Sequence, residues 1–423
     1  MPGTLTVSLN RTRVGTITNI PGDYNIFAFD PAYIADPKRP ILSQSLIDKN
    51  EDLIRVVPRT HTTSPPFFAN LLPERETLLR RIVARQRGIK TLATDFPFLR
   101  SLGHDLPGAV FIDGTGTDDE TISGDDDESH GSTPIRFSLA GVQLKFSASM
   151  ANERFSIDEH GAGGTWIVKM PTNAYSRLPE NEFAIMSLAT AVDLDVPPIE
   201  LRSLNSIPDA SPYIAALRPD EDKVFAIKRF DRRISGERVH AEDFNQIAAQ
   251  KPDDKYENKT SSYLASVISQ LCELADLDEF VRRLIFGICV GNDDMHLKNW
   301  ALIYPDGRHA EIAPLYDFVF TRMYLPDGAL ALTVGGKGRF SDMTLDTLRA
   351  FARQAEISEK RVCLLAGEMV EKIRSAWPQF KETISDERLA TALESHFNQV
   401  PIMNGTLRST RRRGSAAPRP GRG

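Results

Sequence analysis

Residues 291–300 read GNDDMHLKNW, with Asp294 and Asn299 five positions apart and His296 and Lys298 between them. Asp-x-x-x-x-Asn is a spacing that suits phosphoryl transfer. The carboxylate faces an attacking hydroxyl, and the amide turns back to hold a metal ion. Asp293 stands one position too close to Asn299 for that role. A second carboxylate follows in WALIYPDGRHAEIAPLYDFVF, which reads as strand, PDG turn, strand and then Asp317. That hairpin would return Asp317 beside Asn299, where oxygen ligands from two sides suit Mg²⁺.

Such chemistry also needs cations for the phosphates, and the preceding stretch offers them. Lys169 ends the β-type run TWIVKM. Glu182 falls in the first turn of the next expected helix, where it can orient Lys169 as an ion pair. SLAGVQLK (138–145) lies between two expected strands, the place for a phosphate loop. It has a single glycine, so the expected cradle is backbone N–H groups around Gly141 with the Lys145 charge. IKRF (227–230) falls where a hinge between lobes belongs. Its backbone would bond an adenine edge, and Phe230 would pack on the ring.

The elements that must position these residues come in a definite order. TLTVSLNRTRVGTITNI alternates about a polar turn and predicts a hairpin, and DYNIFAFD predicts a further strand. SPPFFANLLPE is a proline-bounded loop whose apolar residues need a partner surface. A helix is expected over 74–87, capped at Gly88. Residues 113–133, DGTGTDDETISGDDDESHGST, hold almost nothing to bury and read as an acidic flexible linker. Beyond it, RFSLAGVQLKFSASM reads as strand, loop, strand, LPENEFAIMSLATAVDLDV as a helix and VFAIKRFDRR as a strand. Helices are expected in SYLASVISQLCELA and DLDEFVRRLIFGICVGN and near 344–354, 359–376 and 386–397. Strands first and helices after predict a sheet-rich lobe and a helical lobe. The tail from 404 on is basic, small and proline-containing, and reads as disordered. Its arginines would attract a phosphate backbone.

Composition narrows the class. The 423 residues are 41% hydrophobic and 26% charged, ordinary values for a globular protein. A net charge of −6 gives no overall nucleic-acid signature. Cys272, Cys289 and Cys363 lack metal or redox spacing and read as thiols of a reducing cytosol. MPGTLTVSLN lacks the basic-then-apolar pattern of a secretory signal. No apolar run reaches the roughly 20 residues of a membrane span.

Taken together, FSLAGVQLKFS, WIVKMP, NEFAIMSLA, KRFDR, HAEDFNQI, GNDDMHLKNWALIY and PLYDF resemble the HipA family, kinase toxins of bacterial type II toxin–antitoxin modules. PFFANLLPE resembles a motif of that family's N-terminal domain. The likeness spans nearly the whole chain apart from the acidic linker and the basic tail. It implies an α+β, HipA-like bilobal protein-kinase-like fold. A small α+β N-terminal domain (1–112) would precede a sheet-rich N-lobe (134–230) and a helical C-lobe (231–403). It implies a cytoplasmic serine/threonine kinase that moves the γ-phosphate of ATP, with Mg²⁺, to a protein hydroxyl. The implied target is a translation protein of the aminoacyl-tRNA synthetase type. The implied partner is a HipB-like helix-turn-helix antitoxin, through which contact with DNA is indirect; no membrane is involved.

The same resemblance assigns roles. Asp294 would be the catalytic Asp, and Asn299 and Asp317 would bind Mg²⁺. Lys169, His296 and Lys298 would lie against the phosphates. The nucleotide would be bounded by Ala140, Gly141, Val142, Gln143 and Lys145, by Lys228, Arg229 and Phe230 at the hinge, and by Asn299 and Asp317. Ser138 would be an autophosphorylation site whose modification expels the loop. Three departures stand out. Lys228 replaces a common acidic residue, and the acidic linker is an insertion. His296 stands two residues after Asp294, where ordinary protein kinases have Lys, so His296 or Lys298 is expected to stabilise the transferred group. Two other readings share parts of the pattern: a small-molecule kinase of the aminoglycoside or choline type, and a DNA-bound corepressor.

Overall fold

The computed structural model describes residues 3–114, 143–151, 154–157, 164–207, 221–233 and 235–404. Ser138, Ala140, Gly141 and Val142 lie outside the described residues, as do 115–133 of the expected linker and the basic tail from 405.

The first unit is an antiparallel sheet of β1 (Gly3–Leu9), β2 (Thr12–Ile20), β3 (Tyr24–Phe29), β4 (Thr60–His61) and β5 (Val110–Gly114), in the order β4-β3-β2-β1-β5. The expected hairpin is β1–β2, with Leu5 opposite Ile17 and a register shift after Val7. Alternate residues Leu5, Val7 and Leu9 are buried, as one covered face requires. The covering helices are α1 (Pro31–Ala35), α2 (Pro66–Ala69), α3 (Leu78–Gln86) and α4 (Phe96–Leu102). Phe67, Phe68, Phe98 and Leu99 fill the core between the layers. The loop SPPFFANLLPE thus finds its partner surface in this sheet. Helix α3 starts later than expected, because Thr77 caps it by accepting the Arg80 N–H. Gly88 closes it at φ +63°. Asp113 and Gly114 belong to β5, so the sheet extends two residues into the expected linker.

The second unit is the antiparallel sheet β7-β6-β8-β10-β9, built from β6 (Lys145–Ala151), β7 (Arg154–Ile157), β8 (Trp166–Lys169), β9 (Ile199–Ser203) and β10 (Lys223–Lys228). Strand β10 ends at Lys228, five residues before the expected run does. Helix α5 (Leu178–Ala191) packs on this sheet, and its Ile185, Met186 and Leu188 join a core continuous with the third unit.

That third unit carries α6 (Phe244–Ile247), α7 (Ser261–Leu271), α8 (Leu274–Cys289), α9 (Leu345–Gln354), α10 (Glu359–Phe380), α11 (Glu387–Gln399) and α12 (Pro401–Asn404). A small sheet of β11 (His240–Asp243), β12 (Ala301–Tyr304) and β13 (Glu311–Ile312) completes it. The expected helix over 262–275 breaks at Cys272, since Glu273 and Asp276 form a capping box that starts α8 afresh. Among the described residues no helix is long and apolar enough to cross a membrane.

Two buried polar seams fasten the first unit to the others. In one, Asp231 accepts the Gly108 N–H and pairs with Arg229 and Arg232, while Asp105 takes the other end of Arg229. Gly108 has φ +69°, and a Cβ there would stand 2.7 Å from the Ala241 nitrogen, so only glycine fits. In the other, Glu242 accepts from Ser43 Oγ at 2.6 Å, the Gln44 N–H at 3.0 Å and the Tyr304 hydroxyl at 2.5 Å. Beside it the His240 ring meets the Leu42 carbonyl at 2.8 Å.

Burial pushes the Glu242 carboxyl up to about 7, against the pull of its hydrogen-bond donors. The folded state therefore binds a proton that the unfolded state releases near its ordinary value of 4.5. Stability contributed by protonated Glu242 is complete below that value and is lost as pH rises through about 7. Denaturant titrations between pH 5 and pH 8 should show unfolding free energy falling with pH. Glu242→Gln should flatten that slope by up to about 1.4 kcal/mol per pH unit. Burial also raises Glu182 and Asp243, so part of the slope should persist, while His240, His296 and His396, lowered by burial, oppose it below their ordinary value of 6.5.

Candidate active site

A cavity of about 1190 Å³ opens between the sheet of the second unit and the loops of the third, and the first unit closes one side. The expected residues Gln143, Lys145, Lys169, Glu182, Lys228, Arg229, Phe230, Asp294, His296, Lys298, Asn299 and Asp317 all line it.

The loop that carries Asp294 and Asn299 owes its shape to helix α8. A Cβ on Gly287 would meet Met295 Sδ at 2.3 Å, so this glycine lets the loop lie against the helix. The Asp294 carbonyl accepts the His296 N–H at 2.8 Å and the Asn299 amide at 2.8 Å. Asn292 Oδ1 accepts the Asp294 N–H at 3.1 Å. Three bonds thus fold the five-residue spacing into one turn. Asp293 also lines the cavity, but its N–H donates to Thr321 Oγ1, its carbonyl accepts from Ala331, and its carboxylate is engaged by Thr321 and Arg322.

Lys169 joins the two lobes. Its Nζ donates to Glu182 Oε1 at 2.5 Å and to Asp317 Oδ1. Glu182 sits in the second turn of α5 rather than the first. Asp317 holds a left-handed φ of +57°, a conformation uncommon outside glycine and frequent at functional sites. Burial opposes ionisation of Asp317, but Lys169 and Lys145 outweigh it and hold its carboxyl well below the usual range. One ammonium cannot neutralise two carboxylates. Burial accordingly pushes Glu182 up to about 7, although Lys169 draws it down.

Lys145 stands directly opposite Lys169 in the β6–β8 ladder. Like charges facing across a ladder repel, and a polyanion between them relieves the repulsion. Lys298 and Lys255 approach from the far wall, where Glu74 of the first unit meets Lys255 at 2.9 Å and Lys298 at 3.9 Å. Burial lowers the Lys298 ammonium, opposed by Asp243 and Glu74. Burial, aided by Lys255, lowers His296 to about 3, so its ring is neutral at pH 7. Burial raises Asp294 to about 6, against the Tyr256 hydroxyl that donates to Oδ1 at 2.8 Å.

Five buried polar atoms of this lining have no partner among the described residues: Ser101 Oγ, Gln143 Nε2, Glu182 Oε2, Asn292 Nδ2 and His296 Nδ1. Orphans gathered on one cavity are what a polar ligand would satisfy. Among the described residues no three His, Cys, Asp or Glu side chains are grouped to hold a metal alone. Mg²⁺ needs fewer, since phosphate and water supply the rest. The Asn299 amide nitrogen is bonded to Asp294, which leaves its side-chain oxygen as an acceptor. That oxygen and the Asp317 carboxylate are a hard-donor pair that fits Mg²⁺.

At the hinge, the Lys228 and Arg229 N–H groups are bonded to the Pro198 and Thr165 carbonyls. Of the three amides expected there, only that of Phe230 lacks a partner among the described residues. The Phe230 ring lies 5.6 Å from that of Tyr316, and both line the cavity. The Arg229 side chain is engaged elsewhere, with Asp231, Asp105 and Ser147 Oγ. Its part is to lock the hinge to the first unit.

Sequence reasoning missed Asn70, Glu74, Lys255 and Tyr256. The signal lay in PFFANLLPE, whose Phe and Leu residues fill a core while Asn70 and Glu74 reach the cavity. Asp231→Asn should unfold the protein about 3–5 kcal/mol more easily in guanidinium titration, because Arg229 and Arg232 then lose a buried carboxylate.

Comparison with known proteins gives the family. A family model described as HipA N-terminal domain matches residues 5–113, and one described as HipA-like C-terminal domain matches residues 137–377. "Putative kinase Y4dM" of Sinorhizobium fredii is 40% identical over 406 residues, 94% of this chain and 97% of that protein. "Putative kinase Y4mE" of the same organism is 28% identical over 88% of this chain and 90% of its own length. Among solved structures, a chain of the Shewanella oneidensis MR-1 toxin–antitoxin complex of HipA, HipB and operator DNA superposes with a TM-score of 0.71. It covers 95% of this chain and 96% of its own length at 20% identity, a likeness of fold. Both family models and a 40% identical full-length relative make this chain a member of the HipA family, with the bilobal fold of that family.

Proposed function

We propose that this chain is a serine/threonine protein kinase and the toxin of a toxin–antitoxin module. The observation that carries the reading is the convergence of Lys145, Lys169 and Lys298 with Asp294, Asn299 and Asp317 on one cavity. ATP would supply the γ-phosphoryl group, and Mg²⁺, held by Asn299 and Asp317, would neutralise charge on its phosphates. Asp294 receives the proton of an incoming hydroxyl as that oxygen bonds to the γ-phosphorus and the bond to the ADP oxygen breaks. Lys169 and Lys145 hold the phosphates. Lys298 and the neutral His296 face the group in transfer. The Phe230 N–H meets the base, with Ile167 and Ile227 as apolar neighbours.

Support for the toxin role comes from family membership and from the structural neighbour, which is assembled with HipB and operator DNA. A helix-turn-helix antitoxin is the proposed partner, and it would bring the complex to DNA. A translation protein such as an aminoacyl-tRNA synthetase is the proposed substrate, and Ser138 the proposed site of autophosphorylation.

Purified protein with labelled Mg-ATP, with and without cell lysate, tests this. Label on the Ser138 peptide or on a lysate protein is expected. Label confined to a small solute would overturn the protein-kinase reading. Asp294→Asn should cut transfer about a thousandfold while ATP still binds, since a positioned base contributes roughly 10²–10⁴-fold. Lys169→Ala should weaken ATP binding at least tenfold in calorimetry, the worth of one charge-assisted contact.

A further inference from the structure

We propose that Tyr256 is a positioning residue for Asp294, holding one carboxylate oxygen so that the other is aimed at the acceptor hydroxyl. The proposal rests on the reading of Asp294 as the group that receives the acceptor's proton.

Tyr256 lies in the loop between α6 and α7, outside the Asp294–Asp317 segment. Its hydroxyl donates to Asp294 Oδ1 at 2.8 Å. Among the described residues this is the one side-chain hydrogen bond to that carboxylate. Asp294 is partly exposed and lines the cavity, and no described residue bonds Oδ2. A carboxylate on a short side chain rotates freely about its last bond. Fixing Oδ1 fixes where Oδ2 points, and misplacement by about 1 Å costs roughly a hundredfold in rate.

The phenol is itself held. Its ring stands edge-on to His296, with centroids 5.0 Å apart and planes at 81°. The Lys255 carbonyl accepts the Leu297 N–H at 3.2 Å, tying the loop to the catalytic turn. Lys255 Nζ meets Glu74 at 2.9 Å, and the Asn70 amide bonds the Gln250 carbonyl at 2.9 Å. The N-terminal domain therefore reaches the catalytic carboxylate in two steps, Glu74 to Lys255 and Tyr256 to Asp294. Burial and Asp294 together push the phenol well above its usual range, so it acts as a donor and not as a base.

A rival role exists for the same contact. The phenol could occupy the acceptor's own place and have to leave before transfer. The unbonded Oδ2 favours positioning, because an acceptor in the cavity can meet it without displacing Tyr256.

The two roles predict opposite signs. Tyr256→Phe removes the hydroxyl and keeps the ring against His296. Steady-state transfer to protein substrate, ATP affinity and Tm should be measured for wild type, Tyr256→Phe and Tyr256→Ala. Positioning predicts that Tyr256→Phe lowers kcat about tenfold with KM for ATP and Tm unchanged, and that Tyr256→Ala lowers kcat at least as far. An unchanged kcat in Tyr256→Phe would overturn the proposal, and a raised kcat would replace it with the blocking role. Loss of Tm in parallel with kcat would also overturn it, as a structural effect. Absence of transfer by wild type would overturn the reading of the site itself, and this proposal with it.

Discussion

A single ammonium group between two carboxylates organises this molecule. Lys169 comes from the sheet of one lobe, Glu182 from the helix packed on it, and Asp317 from the loops of the other lobe. In a buried setting each carboxylate is costly unless paired, and one cation cannot pair fully with both. The result is an asymmetric triad in which Asp317 stays ionised and Glu182 is pushed toward protonation. The pairing ties the two lobes together across the cavity. It also keeps Asp317 charged on the wall where a divalent cation would need it.

The N-terminal domain is part of the same electrostatic arrangement. Its Glu74 balances Lys255 and Lys298, which would otherwise repel each other and Lys145 across the cavity. Its Asp105 and Gly108 clamp Arg229 and Asp231 at the hinge. Its Ser43 and Gln44 satisfy Glu242 on the strand that precedes α6. These contacts are buried or half-buried and charged or hydrogen-bonded, and the buried ones among them are strongly destabilised when one partner is lost. The domain is thus built to stay in place, with the cavity completed by its surface.

Much of this was legible in the chain. Alternating apolar residues gave away the β1–β2 hairpin, and helices were expected where α5, α9, α10 and α11 lie. The spacing of Asp294, Asn299 and Asp317 is local, set by one turn and one hairpin, and the structure brings all three to one cavity with Lys169 and Glu182. Boundaries were less legible. The start of α3 and the break before α8 depend on which Thr or Glu side chain captures a free N–H, a contest that periodicity does not register.

Two things were decided by tertiary structure alone. Arg229 sits in a motif that reads as nucleotide-binding, yet its guanidinium turns to Asp231 and Asp105, because a buried guanidinium goes to the nearest buried carboxylates. Tyr256, Lys255 and Glu74 reach the site across separations of 38 residues or more, through a loop and a domain contact with no local pattern. What the sequence by itself determined are the groups whose chemistry depends on neighbours along the chain: the Asp294–Asn299 turn, the hairpin to Asp317, and the strand that ends in Lys169. What only the fold decided is which charges meet across domains, since burial and pairing are properties of the packed interior and leave no spacing in the chain.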